Sequence, residues 1–140
     1  PGKAFNFIEE LPEFALDENI SVKTVKLKHK LACNGYRIED KSTSIAFMTD
    51  TLPIDQIKEF AYGVDHFIHE ATFLDEHSEL SEETKHTTFS QAIKLGQESK
   101  AGQIYLTHFS PRIDDEKIET LESELGFISL HRSQKINIYK

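Results

Sequence analysis

The sequence has a single cysteine, Cys33, and no apolar run approaching the ~20 residues that a membrane span needs. One cysteine cannot close an internal disulfide, so a reducing, cytoplasmic setting is the simplest expectation. Residues 1–10 lack a basic region followed by a long apolar core, so they do not read as a secretion signal. Basic residues are also scarce: 16 Lys and Arg stand against 24 Asp and Glu, for a net charge of −8. That balance argues against broad, non-specific nucleic-acid binding, which needs a basic face. It leaves room for an enzyme that handles one phosphodiester in a metal-lined cleft, where the ions supply the positive charge. Low-complexity segments and internal repeats are absent as well.

What is present fits one domain with one modest core: 140 residues, 38% hydrophobic and 29% charged. Residues 5–8 read as a short strand. Residues 20–29 alternate apolar and polar, which predicts a strand with His29 at its end. Asn34-Gly35 is a turn signal, and residues 36–39 start the next strand. The β-rich run 43–48 delivers Thr49, Asp50 and Thr51 to a strand end. Pro53 suits a first helical turn, with Ile54, Ile57, Phe60 and Ala61 following at helical spacing. A buried strand at 66–68 ends in His69-Glu70-Ala71-Thr72-Phe73. The polar, acidic stretch 74–85 reads as a loop with one helical turn. Thr88 and Gln91 have capping-box spacing, ahead of a helical face of Phe89, Ala92, Ile93 and Gly96. A strand at 103–106 ends at Thr107-His108-Phe109-Ser110. Asp114 or Asp115 caps a helix facing inward through Ile118, Leu121 and Leu125, and strands at 128–130 and 136–138 close the chain. The pattern is α/β, with helices layered against a sheet. Its polar clusters, His29, Asp50, His69-Glu70 and His108, sit at strand ends, where such architectures carry chemistry.

These residue types suit a particular chemistry. Zinc takes neutral imidazole nitrogen and carboxylate oxygen, and a carboxylate can bridge two ions. Two metals roughly 3.5–4 Å apart activate water and stabilise both oxygens of an in-line displacement. His29, Asp50 and His108 are suitable ligands. His86 precedes a helix start, where free N–H groups favour an anion, and its protonated form can protonate a leaving oxygen. Glu70 can orient that imidazole. Ser110 and Arg112, just past His108, can grip a phosphate. Each residue also has an ordinary explanation. A strand-end histidine is usually structural, Asp50 can cap the next helix, and His86 can flank its helix with no ligand. His66, His77 and His131 read as structural or solvated, Cys33 as a small core residue, and the acidic run 75–83 as a solvated loop.

The order of the motifs adds to these readings. His29 is followed by Asn34-Gly35-Tyr36-Arg37, then Thr49-Asp50-Thr51, His69-Glu70-Ala71-Thr72-Phe73, His86-Thr87-Thr88 and Leu106-Thr107-His108-Phe109-Ser110-Pro111-Arg112. From about His29 to Arg112 this series resembles the second half of ribonuclease Z. The resemblance implies half of a metallo-β-lactamase-type αββα sandwich, a mixed sheet with helices on one face. It implies that His29 binds one zinc, Asp50 bridges two, and His108 binds the other. His86, with Glu70, would act at the scissile phosphate and leaving group, with Thr87, Ser110 and Arg112 binding substrate phosphate. The implied reaction is zinc-dependent phosphodiester hydrolysis, in that family the 3′ trimming of precursor tRNA.

The chain departs from the family pattern in three ways. The His-x-His-x-Asp-His run of the family's N-terminal half is absent. The link from Tyr36 to Asp50 is short, where ribonuclease Z often carries a protruding tRNA-binding arm. Thr49 stands for the usual glycine before the aspartate, and Thr87 for the usual serine after the histidine. Residues 1–140 are therefore expected to be one domain, the C-terminal half of a longer hydrolase. That protein would hold two zincs, and this chain alone would bind zinc weakly or not at all. The expected partners are the missing N-terminal half or a second copy in a homodimer, and a phosphodiester substrate, with no membrane. The alternative is a catalytically inactive structural or regulatory half-domain that self-associates or pairs with another chain.

Overall fold

A computed structural model describes residues 13–130. The strands expected at 5–8 and 136–138, and His131, lie outside these residues. Seven strands form one sheet whose spatial order is also their sequence order. They are β1 (Glu13–Ala15), β2 (Ser21–Lys26), β3 (Asn34–Glu39), β4 (Ser44–Met48), β5 (His66–Glu70), β6 (Gln103–Thr107) and β7 (Ile128–Ser129). Strands β1 to β4 form an antiparallel meander, and β4 to β7 pair in parallel. Parallel neighbours need crossovers, and helices supply them: α1 (Gln56–Phe60), then α2 (Ser78–Thr84) and α3 (Phe89–Glu98), then α4 (Asp115–Leu125).

Strand periodicity decides which side the helices cover. In β4, Ala46 and Met48 are fully buried while Phe47 between them is 37% exposed. Register carries this pattern across the sheet: Ala46 lies beside Phe67 and Phe67 beside Ile104, while Met48 lies beside His69 and His69 beside Leu106. On that face Ile57, Ala61 and Leu95 pack with Ala46, Met48 and Phe67. Phe89, Ala92, Ile93 and Phe127 pack with Ala71 and Leu106. Helices therefore cover one face of a mixed sheet, as expected. The other face aligns Tyr36, Phe47, Ile68, Tyr105 and Ile128 in a single register row.

The helix ends follow local chemistry. Thr88 and Gln91 form the expected capping box, and the Thr88 amide donates to Gln91 Oε1 at 3.0 Å. Asp114 is the cap of α4, its Oδ1 accepting from the Lys117 amide at 2.8 Å. Gly126 ends that helix at φ +74, a left-handed turn open to glycine. Among the described residues no helix is long and apolar enough to cross a membrane.

Three expectations are corrected. Asn34-Gly35 is not a turn: it lies inside β3, paired with Lys26 and Val25, because a Cβ at Gly35 would stand 2.6 Å from Met48 Sδ. His29 sits in the loop after β2 rather than on the strand. Residues 75–84 hold a 3₁₀ turn and the seven-residue α2 instead of one helical turn. Their polar face hides one tertiary anchor, buried Ser81, whose Oγ donates to the His86 carbonyl at 2.8 Å. The edge strand β1 was not expected.

This topology gathers the chemistry. Strands β4, β5 and β6 run parallel, and β2 lies two antiparallel steps from β4 and so points the same way. The loops after all four strands leave one edge of the sheet. The position of α3 is equally constrained, since a Cβ on Gly96 would meet Ile104 Cδ1 at 2.7 Å and Phe67 Cδ1 at 3.0 Å. Gly96→Val should therefore destabilise the chain by about 1–3 kcal/mol through overpacking, read from the urea midpoint; an unchanged midpoint would mean that α3 stands further from the sheet.

Candidate metal centre

Asp50 leaves β4 and presents both carboxylate oxygens to histidines. His29 Nε2 lies 4.0 Å from Oδ2, and His108 Nδ1 lies 3.5 Å from Oδ1. His29 is oriented by its other nitrogen, Nδ1, which donates to the Lys85 carbonyl at 2.9 Å. A carbonyl can only accept, so the neutral ring carries its hydrogen on Nδ1 and turns the Nε2 lone pair toward Asp50. Lys85 itself is held at φ +61, and His108 at φ +59. Side chains rarely adopt this region and hold it only where surroundings over-determine it. Around His108 those surroundings include the Thr72 hydroxyl, 2.9 Å from its Nδ1. The Asp50 backbone is braced by Cys33, whose thiol donates to its carbonyl at 3.1 Å. Burial pushes the Cys33 thiol up, and the charges of Asp50 and Glu70 add to this against an opposing hydrogen bond with Thr49. Cys33 thus serves as a protonated donor rather than a nucleophile.

Glu70 closes β5 and is 1% exposed. Its Oε1 accepts from the Thr51 amide at 3.1 Å, the Thr87 amide at 3.1 Å and His86 Nδ1 at 2.9 Å. Its Oε2 accepts from the Thr72 amide at 3.0 Å and the Thr72 hydroxyl at 2.8 Å. A buried carboxylate is tolerable when its lone pairs are met in this way. His86 stands on the loop before α3, T-shaped to the His29 ring at 4.9 Å between centroids and stacked on His108 at 5.5 Å. It also borders a cavity of ≈ 360 Å³ walled by Lys28, Leu52, Ile54, Glu82 and Gln91.

The structure thus brings five of the expected residues together. Ligand atoms of His29, Asp50 and His86 lie within 4.8 Å of one another, and so do those of Glu70, His86 and His108. Imidazoles and carboxylates suit zinc. The donation of His29 to a carbonyl and of His86 to a carboxylate is the outer-shell pattern that metal-binding histidines show. On that chemistry the residues fit the ion.

Thr87 is corrected as a phosphate-binding side chain. It is fully buried, its hydroxyl donates to the Thr51 carbonyl at 2.6 Å, and its amide supports Glu70. Ser110 and Arg112 line a small cavity of ≈ 70 Å³ with Phe73, Leu74 and Ile113. The Ser110 amide donates to the Thr72 carbonyl at 3.0 Å, which ties this loop to the site. Sequence reasoning missed Thr51, Thr72 and Lys85. Thr72 stood inside a quoted motif and had a suitable hydroxyl; Lys85 acts through its carbonyl, which no side-chain signal reveals.

The class of protein follows from this fold and site. Residues 5–109 match the family described as Beta-lactamase superfamily domain, and the chain belongs to that family. It is 29% identical to ribonuclease Z of Thermoplasma acidophilum over 92% of its own length and 46% of that relative. It is 36% identical to the zinc phosphodiesterase ELAC protein 2 homolog of Caenorhabditis elegans, over 69% of this chain and 11% of the relative. Among solved structures it resembles the metallo-β-lactamase fold protein YhfI of Bacillus subtilis with a TM-score of 0.73 at 20% identity, covering 83% of this chain and 48% of that one. Human tRNase Z, short form, gives 0.66 at 28% identity, covering 72% and 41%. The chain therefore spans less than half the length of each.

His69 shares the site's strand but faces the helices. It is fully buried, its Nδ1 donates to the Glu70 carbonyl at 2.6 Å, and its Nε2 has no hydrogen-bond partner among the described residues. Burial, the dominant effect, lowers its pKa below the ordinary 6.5, against the pull of the neighbouring Glu70. The unfolded chain thus takes up a proton at a pH where the folded chain resists it, so stability falls as pH drops below about 6.5 and is full above it. Denaturant midpoints measured from about pH 8 to 5 should decline on the acid side. His69→Asn, which keeps an amide donor but cannot titrate, should flatten that part of the decline.

Proposed function

We propose that residues 1–140 are the C-terminal half of a zinc-dependent phosphodiesterase of the ribonuclease Z kind. The observation that carries this reading is the convergence of His29, Asp50 and His108 with the His86–Glu70 pair at one sheet edge. His29 and His108 would hold one zinc each, and Asp50 would bridge the two. Zinc supplies Lewis acidity, which makes a water nucleophilic near neutral pH.

The chain's own residues hold and move protons. Glu70 keeps a hydrogen on His86 Nδ1, so Nε2 is the nitrogen left to take up a proton and pass it to the leaving oxygen. Ser110 and Arg112 offer a hydroxyl and a guanidinium to the substrate phosphate. Thr87 acts through its amide on Glu70.

The remaining zinc ligands would come from an N-terminal half bearing the His-x-His-x-Asp-His run. The greater length of the relatives supports this. So does the apolar sheet row, in which Phe47 and Ile128 are 37% and 36% exposed. Support for an RNA substrate comes from the relatives named ribonuclease Z and tRNase Z. Between Tyr36 and Asp50 the chain is occupied by the rest of β3, a short turn and β4, with no protruding arm to hold a tRNA body. Substrate recognition would then fall to the cleft and the partner half. A cytoplasmic setting rests on the single cysteine.

Calorimetric titration of the chain with zinc should show at most one weak site, lost in Asp50→Ala. Two tight sites per chain would overturn the missing-half account. Apolar surface left in water costs about 25 cal/mol per Å², so the exposed parts of Phe47 and Ile128 favour association. Sedimentation at low micromolar concentration should therefore find a homodimer or larger species, and a cooperatively melting monomer would show that the chain needs no cover for this face.

A further inference from the structure

The Thr72 hydroxyl has one hydrogen and three polar neighbours: Glu70 Oε2 at 2.8 Å, His108 Nδ1 at 2.9 Å and His86 Nδ1 at 3.2 Å. Five groups surround the Glu70 carboxylate, and two of them are backbone amides on Oε1 that can only donate. The carboxylate is satisfied as an acceptor throughout, so the Thr72 hydrogen goes to Oε2. The Thr72 oxygen then has only lone pairs left for the two imidazoles. Each ring must meet it with an N–H at Nδ1.

We infer that Thr72 is a positioning residue that selects the tautomer of both His86 and His108, setting hydrogen on Nδ1 and the lone pair on Nε2. The consequence for zinc rests on the phosphodiesterase reading; the hydrogen-bond assignment does not. Free histidine side chains can carry the hydrogen on either nitrogen, so an unassisted site would be filled partly by rings presenting N–H to the ion. Neutral ligand histidines need the lone pair free on the nitrogen that binds. Thr72 supplies that selection for His108, as the Lys85 carbonyl does for His29.

The two imidazoles depend on Thr72 unequally. His86 has a second, shorter acceptor in Glu70 Oε1 at 2.9 Å. His108 has Asp50 Oδ1 at 3.5 Å, the limit of hydrogen bonding. Removing the Thr72 hydroxyl should therefore release His108 and leave His86 in place. Thr72 is nine-tenths buried, and its amide bond to Glu70 needs no side chain. Valine, of similar shape, preserves the strand exit and removes only the hydroxyl.

The test is ¹⁵N NMR of the imidazole nitrogens in the metal-free chain, with signals assigned through His86→Asn and His108→Asn. In the native chain both residues should show a protonated Nδ1 and an unprotonated Nε2. In Thr72→Val, His108 should move to the Nε2–H tautomer while His86 stays. Thr72→Ser should restore the native signals. Zinc affinity should fall about 10–100-fold in the valine variant and recover in the serine variant. A native His108 carrying its hydrogen on Nε2 overturns the inference whether or not the variants fold. So does a valine variant with an unchanged His108 or unchanged zinc affinity. If the native chain binds no zinc, the functional reading fails while the tautomer result still decides the role of Thr72.

Discussion

The site depends on one buried carboxylate. Glu70 ends β5 with almost no exposed surface and gathers five hydrogen bonds from three other segments. Through Thr51 it fixes the loop that carries Asp50. Through Thr72 it fixes the strand exit that meets His108. Through Thr87 and His86 it fixes the start of α3. Leaving such a carboxylate without donors would cost several kcal/mol, so these loops are bound to one another by its need for partners. The geometry of the candidate site and local stability share that one constraint.

Around it the histidines are controlled by groups with a single hydrogen-bonding sense. His29 meets a carbonyl, His86 a carboxylate, and His108 a hydroxyl whose hydrogen is already committed. Two of the left-handed residues, Lys85 and His108, lie where this control is exerted. Strain at such positions is sustained by neighbouring bonds. At Lys85 it aims a carbonyl at His29. At His108 it turns the chain directly after β6, so that the imidazole reaches back over Thr72.

Much of this was legible in the amino-acid order. Strand alternation and helical spacing placed β4, β5, β6, α3 and α4 because their apolar periods match the faces they bury. Asp114 and the Thr88–Gln91 pair announced the starts of α4 and α3. The residue types His29, Asp50, Glu70, His86 and His108 announced the site because each stands just beyond, or at, the end of an element. The misreadings have physical causes. Asn34-Gly35 has turn chemistry, yet Met48 needs the missing Cβ inside a strand. Residues 78–84 show no apolar stripe, because α2 is anchored by one buried hydroxyl, Ser81. Thr87 sits beside His86, but its side chain is buried and bonded to the Thr51 carbonyl. Main-chain partners such as the Lys85 carbonyl leave no trace in composition.

The sheet lies in the order in which it is written, β1 to β7, so every strand pairs with its immediate predecessor. Among the described strands none waits for a distant segment to arrive between two others. Growth of such a sheet can proceed as a zipper from the amino end, each step closing only a modest loop. The candidate centre obeys a different clock. In that order Asp50 and Glu70 would come together once β4 and β5 meet, and His108 would join them only after β6 has docked alongside. The group of side chains at this sheet edge would thus be completed last by β6, of its strands the one furthest along the chain from Asp50.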